Sequence, residues 1–264
     1  MLSPDTHPTE PSHNRVPDVT LDFWLIKLMA VTMGETAADY LAVNLGLGLT
    51  VTSLIMTAVL AAALVLQFAQ KRYVPWAYWL AVVLISVVGT LVTDNLVDNF
   101  GARLQTTAIA FSVALAATFA VWYASERTLS IHTIFTTRRE IFYWLAILFT
   151  FSLGTAAGDL VAETFELGYL STGLLFGGTI ALIALAYYLL DLDGILAFWL
   201  AYILTRPLGA SFGDLLSQPV EYGGLGFGTI FTSLMFLGCI IALVLYMTLR
   251  ETADEAEEIL LESD

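Results

Sequence analysis

A chain of 264 residues that is 58% apolar and 13% charged, with a mean hydropathy of +0.79, is too rich in apolar side chains for an ordinary water-soluble domain. Its ten Lys and Arg form no basic patch and its formal net charge is −14, which argues against a nucleic-acid partner. The single cysteine, Cys239, excludes an internal disulfide and a cysteine-built metal centre.

Residues 1–20 are polar and rich in Pro, Ser, Thr and His. They have no apolar core of the kind a cleaved leader needs and are expected to form a disordered cytoplasmic tail. Eight apolar stretches follow, at about 22–44, 49–70, 77–97, 104–125, 141–161, 171–190, 195–217 and 228–249. Each is near the roughly 20 residues needed to cross a hydrocarbon layer of about 30 Å. The expected fold is an all-α polytopic membrane protein, with a transmembrane domain over 21–250 and an acidic cytoplasmic tail over 251–264. Glycines mark the tips between paired stretches: Gly46 and Gly48, Gly101, Gly168, and Gly223, Gly224 and Gly226.

One phrase recurs in every odd-numbered stretch: Trp, then Gly ten residues on, then Asp five further. The copies are Trp24–Gly34–Asp39, Trp79–Gly89–Asp94, Trp144–Gly154–Asp159 and Trp199–Gly209–Asp214. An aromatic residue precedes each Trp (Phe23, Tyr78, Tyr143, Phe198) and a leucine follows it. Four tandem two-helix repeats result, at about 22–70, 77–125, 141–190 and 195–249, with the longest internal loop, about 126–140, dividing two halves. Near the start of each second helix stands a threonine: Thr52, Thr107, Thr172 and, after a glycine-rich tip, Thr229.

Helix geometry assigns the phrase three jobs. The Trp and its aromatic neighbour, with Trp76 and Trp122, are expected to anchor the helices at the cytoplasmic interface. The Gly lies about 15 Å further along, near the midplane. The Gly+4 positions are Ala38, Thr93, Gly158 and Gly213, so small residues spaced by four let helices approach closely. The Asp lies about 22 Å from the Trp, still inside the apolar layer, where a lipid-facing carboxylate is costly. All four Asp are therefore expected to face protein or a watery interior. On a wheel at about 100° per residue, Lys27, Arg206, Glu35, the repeated Asp and the position of Asp98, Glu163 and Gln218 share one half. Arg206, before Pro207, has Val31, Ser86 and Phe151 as its repeat equivalents. It reads as a counter-ion or gate, or as a snorkelling or structural arginine. Lys27, a turn from the aromatic belt, reads as snorkelling.

Orientation follows from the basic residues. Arg15, Lys71, Arg72, Arg127, Arg138, Arg139 and Arg250 collect on the side of both termini, and Arg103 alone lies opposite. The termini are therefore expected in the cytoplasm and the aspartates toward the outer face of the cell membrane.

Four tandem two-helix units with a signature tryptophan resemble a family of prokaryotic membrane proteins catalogued as a repeat of unknown function and often labelled membrane-anchored. The resemblance covers roughly 17–250 and implies the eight-helix architecture. It brings no activity, so function is read from the residues.

Inward acids (Glu35, Asp39, Asp94, Asp98, Asp159, Glu163, Asp214) outnumber inward cations (Lys27, Arg206). This points to a transporter or channel for a small cation or protons, with hard oxygen ligands. The alternative is a structural or partner-binding protein whose aspartates clasp helices, bonding the threonines across each hairpin. An enzyme is not expected: Gly158–Asp159 and Gly213–Asp214 make half of an intramembrane protease motif, but its upstream glycine is replaced by Ala156 and Ser211. No cofactor is expected. The lipid bilayer is the expected partner, the metal is open, and no protein partner is named by the sequence.

Overall fold

The computed structural model describes the backbone over residues 14–164 and 167–262, and side chains over 14–162 and 167–250. Eight α-helices carry the chain: α1 Leu21–Asp39, α2 Leu49–Phe68, α3 Pro75–Asp94, α4 Leu104–Glu126, α5 Thr137–Asp159, α6 Gly168–Leu189, α7 Gly194–Ser217 and α8 Thr229–Glu262. No strand occurs among the described residues. The odd-numbered helices start where the sequence supplies a start signal. Thr20, Thr136 and Asp193 each accept a hydrogen bond from a backbone N–H in the first turn, and Pro75 opens α3.

The odd-numbered helices form the interior. α1, α3, α5 and α7 pack in a closed ring, each against the next and α7 against α1. The even-numbered helices form an outer layer: 67% of the most apolar stretch of α3 is buried, against 17% for α4, α6 and α8. Each outer helix packs chiefly on the inner helix of the following unit: α2 on α3, α4 on α5, α6 on α7, and α8 back on α1. The repeat in sequence is thus not the packing unit. The four units interlock head to tail and close.

The ring is held by a notch-and-knob contact repeated four times. Each repeat Gly takes the side chain lying three residues before the Gly of the next unit. Gly34 takes Ser86, Gly89 takes Phe151, Gly154 takes Arg206, and Gly209 takes Val31. A methyl group on Gly89 would stand 2.8 Å from Phe151 Cβ, and one on Gly209 2.8 Å from Val31 Cβ. The Gly+4 row repeats the contact one turn on, with Gly158 against Pro207 and Gly213 against the Thr32 carbonyl. Close approach at small residues substitutes for a hydrophobic drive that lipid cannot supply.

Among the described residues, seven helices are long and apolar enough to cross a membrane. α1 is not among them, because Asp22, Lys27, Glu35 and Asp39 fall within its 19 residues. Its environment explains how it carries them: α3, α7 and α8 surround it, and Lys27 and Glu35 are buried against protein.

Described residues at both ends of the chain belong to the fold. Residues 14–20 are packed: Val16 is buried, Asn14 donates to the Ile131 carbonyl at 3.0 Å, and Arg15 pairs with Glu140 at 2.8 Å. Residues 1–13, the rest of the expected tail, lie outside the described residues. At the other end α8 runs on to Glu262, so most of the acidic segment prolongs the last helix.

A carboxylate ring above a buried ion pair

Rows of residues four apart on the inner helices meet along the axis of the ring and stack it in five layers. The first holds Phe23, Tyr78, Tyr143 and Phe198, and the second Lys27, Val82, Ile147 and Tyr202. The third holds Val31, Ser86, Phe151 and Arg206, the fourth Glu35, Thr90, Thr155 and Ala210. All sixteen are buried. The fifth layer is the repeated aspartates, Asp39, Asp94, Asp159 and Asp214, all half-buried at one end of the axis. The phrase is therefore a register: the aromatic residue before each Trp and the Asp lie sixteen residues apart on one inward row.

The first layer is aromatic and closed. Tyr78 and Tyr143 share a hydroxyl–hydroxyl bond of 2.6 Å, and the rings of Phe23 and Phe198 lie 6.0 Å apart. Three of the signature tryptophans, Trp79, Trp144 and Trp199, are buried in the protein beside this layer. Their indole N–H groups donate to Tyr73 Oη at 3.2 Å, Glu140 Oε1 at 3.4 Å and the Leu129 carbonyl at 3.0 Å. Trp122, assigned to the same interfacial belt, is likewise buried. Protein packing rather than lipid contact occupies these rings; Trp24 is half-buried and Trp76 exposed.

Lys27 does not snorkel. It is 1% exposed, donates to the Tyr202 carbonyl at 3.0 Å and to Thr205 Oγ1, and stands 3.7 Å over the Tyr202 ring. An ammonium kept from water takes the two acceptors and the aromatic face within its reach.

Arg206 and Glu35 form the floor of the ring, with Nη2 and Oε2 2.6 Å apart. Thr90, the repeat equivalent of Glu35, completes the contact: its hydroxyl donates to Glu35 Oε2 at 3.1 Å and accepts from Arg206 Nη2. The guanidinium is fully buried, and its Nε and Nη1 make no hydrogen bond among the described residues. Among the described residues, Glu35 is the carboxylate that takes the direct bond to Arg206.

Above the floor, Asp94 stands within electrostatic range of Asp39, Asp159, Glu35 and Asp98. Asp214 stands within range of Glu35, Asp39, Asp159 and Arg206. The ring thus joins all four repeat aspartates and Glu35 into one acidic end, capping the cationic layers. Among the described residues, Asp39, Asp94 and Asp214 accept no side-chain hydrogen bond. No three His, Cys, Asp or Glu side chains described are grouped to hold one metal ion. Asp98, at the outer lip, is exposed, and the side chain of Glu163 lies outside the described residues.

Among the described residues, the threonines at the starts of α2, α4 and α8 donate to backbone carbonyls, not to Asp39, Asp94 or Asp214. Thr52 and Thr107 donate to the carbonyls of Gly48 and Arg103, four residues back in their own helices, at 2.8 and 3.2 Å. Thr232 repeats this on Gly228 at 2.9 Å, so it, not Thr229, is the structural counterpart in the fourth unit. The hydroxyl of Thr172 makes no hydrogen bond among the described residues. Asparagines tie the helix ends instead: Asn44 accepts from Thr229 at 3.1 Å, Asn99 donates to Thr50 at 3.2 Å, and Asn95 donates to Ser53 at 3.3 Å.

Two features of this end escape a reading by spacing. After Asp39, Asp94 and Asp159 the helix widens into a π-turn, at Tyr40–Asn44, Asn95–Asn99 and Leu160–Thr164. Such turns recur at functional sites and have no composition signal. The second is Thr90, an unremarkable threonine until the fold sets it between Arg206 and Glu35. At the opposite end Glu140, fully buried, binds Arg15 and accepts from Gln67 at 3.0 Å. That pair is likewise invisible before the tail folds back.

The architecture defines a membrane protein of four interlocked helical repeats. Residues 23–73, 77–128, 142–192 and 197–253 each match the Repeat of Unknown Function (DUF347), and the chain belongs to that family. No curated protein and no solved structure matches the chain.

Proposed function

We propose that the chain crosses the cell membrane eight times, with both termini in the cytoplasm, and carries small cations or protons through the ring of Asp39, Asp94, Asp159 and Asp214. The observation that carries this reading is that Asp39, Asp94 and Asp214 share one end of the axis and, among the described residues, accept no side-chain hydrogen bond, while asparagines tie neighbouring helix ends. Buried or half-buried carboxylates without partners are costly unless a cation or proton joins them. α1 is the eighth span, its charges shielded by neighbours on every inward side. Seven of the ten basic residues flank the tryptophan end, which sets that end inside and opens the aspartate ring to the outer face.

Carboxylate oxygens favour hard cations. With no compact three-ligand group among the described residues, a hydrated ion or protons suit the ring better than a fully stripped one. Glu35 belongs to both systems: its Oε2 holds Arg206 and its charge faces the ring. A cation drawn inward would compete with the guanidinium for Glu35, which makes the pair a gate. The packed layers below favour a second reading, a structural or partner-binding membrane protein, since they leave the axis filled.

The test is the melting temperature of purified protein against sodium, potassium, magnesium, calcium and manganese, with flux in proteoliposomes. Saturable stabilisation and flux, lost when all four aspartates become Asn, are expected. Equal behaviour of wild type and quadruple variant, with a stable co-purifying partner, would select the second reading.

A further inference from the structure

The fourfold pattern breaks once on the outside of the ring, and the break is an open cleft. In three grooves the outer helix closes onto the interior at three repeat positions. These are Leu60, Leu64 and Gln67 in α2, Leu115, Phe119 and Trp122 in α4, and Ile240, Val244 and Met247 in α8, all packed on the core. In α6 the same positions hold Ile180, Ala184 and Tyr187, and the last two are exposed. The middle of the three positions carries its smallest side chain in α6, Ala184. Phe119 lies 4.8 Å from the ring of Trp199, whereas Ala184 cannot reach across to Trp24. A cleft of about 660 Å³ remains, walled by α6 on one side and by Trp24 and Phe198 on the other.

Trp24 differs from its repeat equivalents in the same place. Trp79, Trp144 and Trp199 each donate their indole N–H to a protein acceptor. Among the described residues Trp24 donates to none, and it lines the cleft. Ser130, His132 and Asp193 form the polar end, and Ile180, Ile183 and Ala201 continue the apolar wall. Beyond the mouth, Leu185 and Leu189 are exposed on the outer face of α6, so the cleft opens sideways onto an apolar surface. No lysine or arginine lines it, while Asp193 does, which disfavours an anionic head.

We propose that this cleft binds a neutral, single-tailed amphiphile from the bilayer, of the monoacylglycerol class. Its tail lies along α6 and a hydroxyl or carbonyl oxygen of its head accepts the Trp24 N–H. The volume falls in the range of small-molecule sites, mostly apolar with a few placed polar groups. This site is independent of the aspartate ring and stands or falls without it.

The experiment uses the full chain in nanodiscs of saturated phosphatidylcholine, titrated with 1-(9,10-dibromostearoyl)glycerol, whose bromines quench nearby tryptophan. Saturable quenching is expected, and Ala184→Phe, which restores the residue type of α4, abolishes it. By melting-shift titration Trp24→Phe weakens binding about fivefold, the loss of one hydrogen bond. Quenching that rises without saturation, or that Ala184→Phe leaves unchanged, overturns the site. Equal or tighter binding of dibromostearate, the anionic analogue, overturns the neutral head.

Discussion

Arg206 and Glu35 meet at 2.6 Å inside the ring although 171 positions separate them in the chain. The contact joins the fourth unit to the first, so it closes the ring, and it also sets the floor beneath the four aspartates. Both roles can be separated by substitution.

Removing one partner strands the other. Arg206→Met leaves Glu35 buried without its cation, and losses of about 3–5 kcal/mol accompany such broken buried pairs. The double variant Arg206→Met with Glu35→Gln recovers much of that loss. Unfolding in mixed micelles, read as a double-mutant cycle over wild type, both single variants and the double, measures the coupling. Additive losses would show the pair to be energetically idle.

The glycine notches predict a graded cost. Gly89→Ala sets a methyl 2.8 Å from Phe151 Cβ, with the Ser152 backbone nitrogen at 3.3 Å. The helices must part, at about 1–3 kcal/mol. Gly178→Ala meets nothing within 4 Å and is expected to be neutral or slightly stabilising through helix propensity. Melting temperatures of the two variants side by side check the contrast.

Crowded carboxylates also cost stability when no cation screens them. Asp94, within range of four other acids, is the most informative position. Asp94→Asn is expected to raise the melting temperature in cation-poor buffer by a few degrees, about 1 kcal/mol, and to shrink the gain that added cations bring. A variant that melts lower in both conditions would mark Asp94 as a structural bond.

The asparagine ties predict the reverse pattern. Asn99→Ala loses bonds to Thr50 and to Asn95 at 3.2 and 2.8 Å, in an exposed position, so about 0.5–1.5 kcal/mol is expected. The cation response should be unaltered. Hydrogen exchange at the start of α2 rises if the tie holds those ends together.

Residue spacing alone dictates the repeat, the helices and the inward row. Trp, Gly and Asp recur at spacings that only a helix turns into fixed faces, and the cost of a carboxylate in an apolar layer points all four aspartates inward. Small residues at Gly and Gly+4 likewise announce close helix contact. Which helix fills each notch was settled only by the tertiary structure. Short tips let an outer helix lie on its own inner helix or on the next with equal ease, and nothing in composition separates the two. The same choice decides that Arg206 meets Glu35 and Thr90, that Lys27 ends in an aromatic cage, and that asparagines tie neighbouring helix ends. Only closure of the ring brings residues of the first and fourth units together, and no local pattern can encode a contact between residues 171 positions apart.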